Sequence, residues 1–220
     1  MAEKPLLVSG PLIRPIQTGE KTETRRMHGL DQVNSYPSLW NFKHMEYVDA
    51  TQTWRAVFSL GEKCGIVKIN CPYGGTGTNL WVRESFYVDR QYDKARPSDL
   101  PDYIKRGYMA DGEKPQWAGK TRTSIHMPRW LSRLDLENLE TYPERLHDIT
   151  EAGANAEGAT RAWEGCEDGH FYHPDDQTEK VLGQLGSYVI GFKAIWLNVN
   201  DRDSWDRNPW VWVIKFKLKT

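Results

Sequence analysis

Trp210-Val211-Trp212-Val213-Ile214-Lys215-Phe216-Lys217-Leu218 has the two-residue period of an extended chain. Successive side chains of a strand point to opposite faces. Trp210, Trp212, Ile214, Phe216 and Leu218 therefore share one face, and Lys215 and Lys217 fall on the other. So apolar a strand needs a core beside it, and the fold is expected to be organised around a sheet. Working outward, the nearest upstream signal is helical. Leu182, Leu185, Val189, Phe192 and Trp196 step by three and four residues, which predicts one buried helix face. Gly183, Gly186 and Gly191 weaken that helix, by about 1 kcal/mol each where exposed.

Further from the C-terminus the signals alternate between short strands and turn formers. Trp54 to Leu60 and Gly65 to Ile69 read as strands around the turn Gly61-Glu62, Leu80 to Phe86 as another, and Arg133 to Leu139 as a fourth. Leu6-Leu7-Val8 is a short strand. Pro11 suits the first turn of a helix that carries Leu12, Ile13 and Ile16 and ends at Gly19. Asp148-Ile149-Thr150-Glu151 resembles a capping box and predicts a short helix ending near Gly158. Residues 30–53 carry no assignable period. The expected architecture is α+β: a small β-barrel holding segments 54–69, 80–88, 133–139 and 209–218, with flanking helices and inserted loops, in a single domain over 1–220.

Composition narrows the function classes. The chain has 220 residues and a net charge of −1, so a strongly basic protein that coats nucleic acid is excluded, while a local basic pocket is not. Apolar residues at 39% and charged residues at 27% describe an ordinary folded chain rather than a disordered one. No apolar run approaches the roughly 20 residues of a membrane span. Residues 1–10 lack the charged-then-apolar pattern of a secretory signal, and a cytoplasmic location without membrane contact is expected. Cys64, Cys71 and Cys166 are expected to be free thiols.

The densest polar stretch is Gly19-Glu20-Lys21-Thr22-Glu23-Thr24-Arg25-Arg26. In a strand, Thr22, Thr24 and Arg26 share one face. A threonine hydroxyl beside an amine base is a nucleophile in waiting, although a solvated charged loop would have the same composition. The stretch resembles the N-terminal signature of ASCH domains, which have a PUA-like β-barrel. The resemblance continues in Leu80-Trp81-Val82-Arg83-Glu84, in the short helix from Ile149 to Thr160 and in the closing strand. Segments around Ser124-Ile125-His126-Met127-Pro128-Arg129-Trp130 and Trp205 to Trp212 are similar to the longer ASCH proteins found in phages and prophages.

Among ASCH proteins, the short bacterial N4-acetylcytidine amidohydrolases use a threonine, a lysine and a glutamate. Their Gly-x-Lys-Thr-x-Thr-x-Arg pattern corresponds to Gly19, Lys21, Thr22, Thr24 and Arg26, and their helical glutamate to Glu157. The resemblance thus implies Lys21, Thr24 and Glu157 as catalytic residues acting without metal or cofactor. It implies an acylated cytosine nucleoside as the small-molecule substrate. The chain is about twice as long as those enzymes, with insertions near 27–53, 86–123 and 161–205.

The residue types fit the chemistry. A partly buried lysine loses basicity and becomes a usable base near neutrality. A glutamate can protonate the leaving amine or activate water. Arg26 can hold a pyrimidine carbonyl or a developing oxyanion. Trp81 is expected to stack on the base, with Arg83 or Glu84 reading its edge and His126 lining the same cleft. Two alternatives compete: a PUA-like module that binds RNA or a modified base without chemistry, and an ASCH-type ribonuclease. The neutral net charge argues against a long nucleic-acid track. Cys166, His170 and His173 have C-x3-H-x2-H spacing without a convincing fourth ligand, so no metal site is expected. Gly74-Gly75-Thr76-Gly77 is not followed by Gly-Lys-Ser/Thr and is not a phosphate loop.

Overall fold

A computed structural model of the chain describes residues 3–61, 64–164, 171–172 and 186–219. In chain order its elements are β1 Glu3–Leu7, α1 Gly10–Thr18, β2 Glu23–Arg26, α2 Asp31–Asn34, β3 Trp40–Val48, β4 Thr53–Leu60, β5 Cys64–Asn70, β6 Asn79–Arg83, β7 Phe86–Val88, β8 Arg106–Tyr108, β9 Asp135–Arg145, α3 Glu151–Ala156, β10 Trp163–Glu164, β11 Phe171–Tyr172, α4 Tyr188–Val199, α5 Asp203–Asp206 and β12 Trp210–Leu218.

The C-terminal strand lies inside the main sheet, whose order is β1-β6-β9-β12-β2. It pairs antiparallel with β9 on one side and β2 on the other, with Ile214 opposite both Thr141 and Thr24. Among the described strand pairs only β1 and β6 run parallel. The predicted alternation has a structural reason on each face. Trp210, Trp212, Ile214 and Phe216 enter the central cluster with Leu6, Ile13, Ile16, Leu80 and Phe58. Val211, from the opposite face, joins Phe192 and Trp196 of α4 and Ala154 of α3. Helices α3 and α4 therefore cover one face of the sheet, and α1 together with the hairpin strands covers the other.

The fold is mixed α+β, but its strands are divided differently from the expected barrel. Segment 54–69 forms β4 and β5, which pair with β3 in a separate three-stranded antiparallel sheet. The unassigned stretch 30–53 supplies that third partner. The two sheets meet through Ala56, Phe58 and Ile69, and among the described residues no ring of hydrogen-bonded strands closes. Segment 80–88 is not one strand either: β6 ends at Arg83, and β7 begins at Phe86 and pairs with β8 instead. The excursion that follows packs around its own cluster of Phe86, Val88, Ile104, Met127 and Leu131.

Local signals position the helices. Pro11 sits in the first turn of α1, and Gly19 ends the helix in the left-handed region at φ 79°. The cap of α3 is Thr150 rather than Asp148: its Oγ1 accepts from Gly153 N at 3.0 Å. Glu151 is thereby free to bind the next helix, and its carboxylate accepts from Tyr188 N at 2.8 Å and from the Ser187 hydroxyl. Gly191 of α4 packs onto the backbone between the two helices. A β-carbon there would lie 1.9 Å from the Thr160 carbonyl oxygen. The predicted helix positions Leu182 and Leu185 lie outside the described residues, as do Cys166, His170 and His173. No helix among the described residues is long and apolar enough to cross a membrane.

Candidate active site

Lys21 follows the turn that Gly19 makes out of α1 and precedes β2. Its side chain is 1% exposed. All three ammonium donors are used: Glu157 Oε2 accepts at 2.5 Å, the Glu157 carbonyl at 2.7 Å and the Glu23 carbonyl at 2.8 Å. Glu157 closes the C-terminal end of α3, with its side chain 6% exposed. The fold thus joins two residues 136 positions apart. Burial pushes the Lys21 ammonium below its ordinary value, and the Glu157 carboxylate opposes that shift without cancelling it.

Thr24 is buried on β2, and its hydroxyl has no hydrogen-bond partner. Buried polar atoms are rarely left in that state. The Glu157 oxygen that does not face Lys21, Oε1, also lacks a hydrogen bond. Arg25 Nη1 is 3.6 Å from it. Arg25 belongs to the helix side of β2: Nε donates to Glu144 Oε1 at 2.8 Å, Nη1 lies 3.4 Å from Glu23 Oε2, and the guanidinium sits 5.8 Å from the centre of the Phe192 ring. Burial raises the Glu144 carboxyl against the opposing pull of Arg25.

These groups border a cleft of about 350 Å³. Glu157, Arg25 and Arg26 form its charged side, Phe192, Ile195 and Trp196 of α4 its apolar wall, and Ser9, Ser85 and Ser124 polar points on the rim. Lys21 and Thr24 are not among the lining residues. The Thr22 carbonyl accepts from Phe216 N, which puts Thr24 and Arg26 at hydrogen-bonded positions toward β12. The N–H of Arg25 then points away from β12, toward the open edge of the sheet. Arg26 lines the cleft while donating to the Leu7 carbonyl at 2.8 Å and the Arg25 carbonyl at 3.1 Å.

The other expected binding residues are placed elsewhere. Trp81 does not line the cleft. Its ring carries the Arg83 guanidinium at 5.3 Å and the Arg129 guanidinium at 5.7 Å. Arg83 also donates to the Ile125 carbonyl. Glu84, expected to read a base edge, is 1% exposed with both oxygens held by Arg133 at 2.8 and 3.0 Å. His126 is exposed, two residues from Ser124 on the cleft rim. Arg25 and Glu144 were missed by sequence reasoning, because a register across three strands brings them together and no spacing announces it. No cluster of three metal-ligating side chains occurs among the described residues. No family model, curated protein or solved structure matches this chain.

Proposed function

We propose that the chain is an ASCH-type, PUA-like amidohydrolase that removes an acyl group from N4 of a cytosine nucleoside. One observation carries this reading: a buried Lys21–Glu157 pair at 2.5 Å whose ammonium also holds the carbonyl of Glu23, the residue before Thr24, a buried threonine whose hydroxyl has no partner. The ion pair and its neutral tautomer, amine plus carboxylic acid, hold the same single proton. Burial makes the charged form expensive, so the neutral tautomer is within reach. In that form Lys21 is a base and Glu157 an acid.

The Thr24 hydroxyl attacks the acyl carbon and passes its proton to the Lys21 amine. The C–N4 bond breaks, and N4 leaves as an amine with the proton of Glu157. Water then attacks the threonine ester and gives a proton to Glu157. The Thr24 oxygen recovers its own from Lys21, and a carboxylic acid is released. We assign the developing oxyanion to the N–H of Arg25, next in the chain to Thr24, and to the guanidinium of Arg26, which lines the cleft.

The test is the ultraviolet spectrum of N4-acetylcytidine on mixing with the protein, since deacylation changes it. Wild type should convert it to cytidine, Thr24→Ala should not, and Thr22→Ala, at the exposed neighbouring hydroxyl, should. Activity in Thr24→Ala together with a dead Thr22→Ala would overturn the assignment. A binding module is the second reading, favoured by the full hydrogen bonding of Lys21 and by the absence of Thr24 from the cleft lining. It prevails if wild type binds N4-acylated cytosines and turns over none.

A further inference from the structure

A second cavity, of about 460 Å³, shares no lining residue with the cleft. Lys4, at the opposite end of β1 from the cleft residue Leu7, contributes to it. Tyr47 and Trp54, facing positions of the β3–β4 hairpin, form one wall, with ring centres 5.2 Å apart and planes tilted by 50°. The loop from Gly74 to Thr78 forms another. This is the glycine-rich segment that no phosphate-loop pattern accounts for, and close packing against the cavity explains it. A β-carbon on Gly75 would come within 2.6 Å of the Trp54 indole, and one on Gly74 within 2.3 Å of the Thr78 hydroxyl.

The wall is held in place. Tyr47 stays 42% exposed, yet its hydroxyl donates to Gln52 Oε1 at 2.8 Å. Gln52 sits in the left-handed region at φ 51°, a conformation that non-glycine residues rarely adopt, and its amide donates to the Asp49 carbonyl at 2.9 Å. The charge is as one-sided as the shape. No acidic side chain lines the cavity, and Lys4 has no ion-pair partner among the described residues. The Thr76 N–H also carries no hydrogen bond among the described residues.

We propose that this cavity is a binding site for a nucleoside monophosphate, with the base against Tyr47 and Trp54 and the phosphate at Lys4. Aromatic faces accept any base, whereas a lone ammonium selects the charged form of the ligand over the bare nucleoside. The inference rests on residues the proposed hydrolase does not use, so either can fail without the other.

The test is calorimetric titration of the full chain with CMP, AMP, cytidine and inorganic phosphate. At least one monophosphate should saturate, and cytidine and phosphate alone should bind at least roughly fivefold more weakly, the low end of what one stacked base or one lost charge contributes. Lys4→Ala and Tyr47→Ala should each weaken the monophosphate by roughly fivefold or more, with unchanged circular dichroism. Glu157→Gln, in the cleft, should leave that binding as it is. Absence of saturation up to about 10 mM overturns the proposal. So does full-strength binding in either variant, or binding that disappears with Glu157→Gln.

Discussion

Among the described residues two buried glutamates meet cations, and their surroundings differ. Glu84 is matched oxygen by oxygen to Arg133, which also holds Asp111 at 2.8 Å and lies 3.9 Å from the centre of the Tyr108 ring. Glu157 is hydrogen-bonded to a cation on one oxygen only, with Arg25 Nη1 3.6 Å from the other. That other oxygen has no hydrogen bond, and the buried hydroxyl of Thr24 has none either. A fully satisfied buried network holds a structure together, whereas a partly satisfied one stores free energy that a ligand can release. The first network fastens the excursion to the sheet, and the second faces the cleft.

The largest effect expected from breaking this comparison is at Lys21. Lys21→Met leaves the buried Glu157 carboxylate without its hydrogen-bonded cation, with only the Arg25 guanidinium 3.6 Å from Oε1, and should lower stability by about 3–5 kcal/mol. It should also remove deacylation, which for a lost acid–base group means roughly a 10²- to 10⁴-fold fall in kcat. Adding Glu157→Leu removes the stranded charge. Urea denaturation should then show most of the stability restored while the protein stays inactive. A double variant as unstable as the single one would mean that the pair is held by more than its charges.

Glu84→Ala is the matching experiment on the satisfied network, with a smaller effect. Arg133 keeps Asp111 and is one-quarter exposed, so the loss should fall near about 3 kcal/mol. The folded protein should deacylate at the wild-type kcat. A large fall in kcat with the melting curve unmoved would place Glu84 among the reacting groups and end the distinction drawn above.

The smallest effect is the pH dependence of stability. Lys21 in the unfolded chain keeps its proton to about its ordinary 10.5, while in the folded protein burial releases it lower. Between those two values the unfolded chain binds more protons, so the contribution of Lys21 to stability rises with pH. Urea midpoints of wild type relative to Lys21→Met should therefore climb from the lowered value toward pH 10.5. A flat or falling difference would mean that Glu157 outweighs burial.

The sequence was legible where the signal is local. The strand Trp210–Leu218, the hairpin around Gly61 and the helix between Pro11 and Gly19 each follow from period and caps. It was illegible where neighbours decide. Trp40–Val48 is half-exposed on both faces, with a register shift between Phe42 and His44 that breaks its period. The helix cap shifted from Asp148 to Thr150 because Glu151 is used by the start of the next helix. Nothing local distinguishes Glu84 from Glu157. Lys21, Thr24 and Glu157 were picked out by a motif resemblance, and their hydrogen bonding could be read only once the chain was folded.

The wall of the cleft opposite the charged residues belongs to α4, and α4 is seated on the Thr160 carbonyl at Gly191. An ordinary contact to a β-carbon begins at 3.4 Å, whereas one at Gly191 would lie at 1.9 Å, so any side chain there drives helix and carbonyl apart by about 1.5 Å. Phe192, Ile195 and Trp196 would travel with the helix. The aperture of the site is therefore gauged by a carbon that is missing, as a shim sets the gap between two plates. Its calibration mark is outside the cleft, at a residue that does not line it.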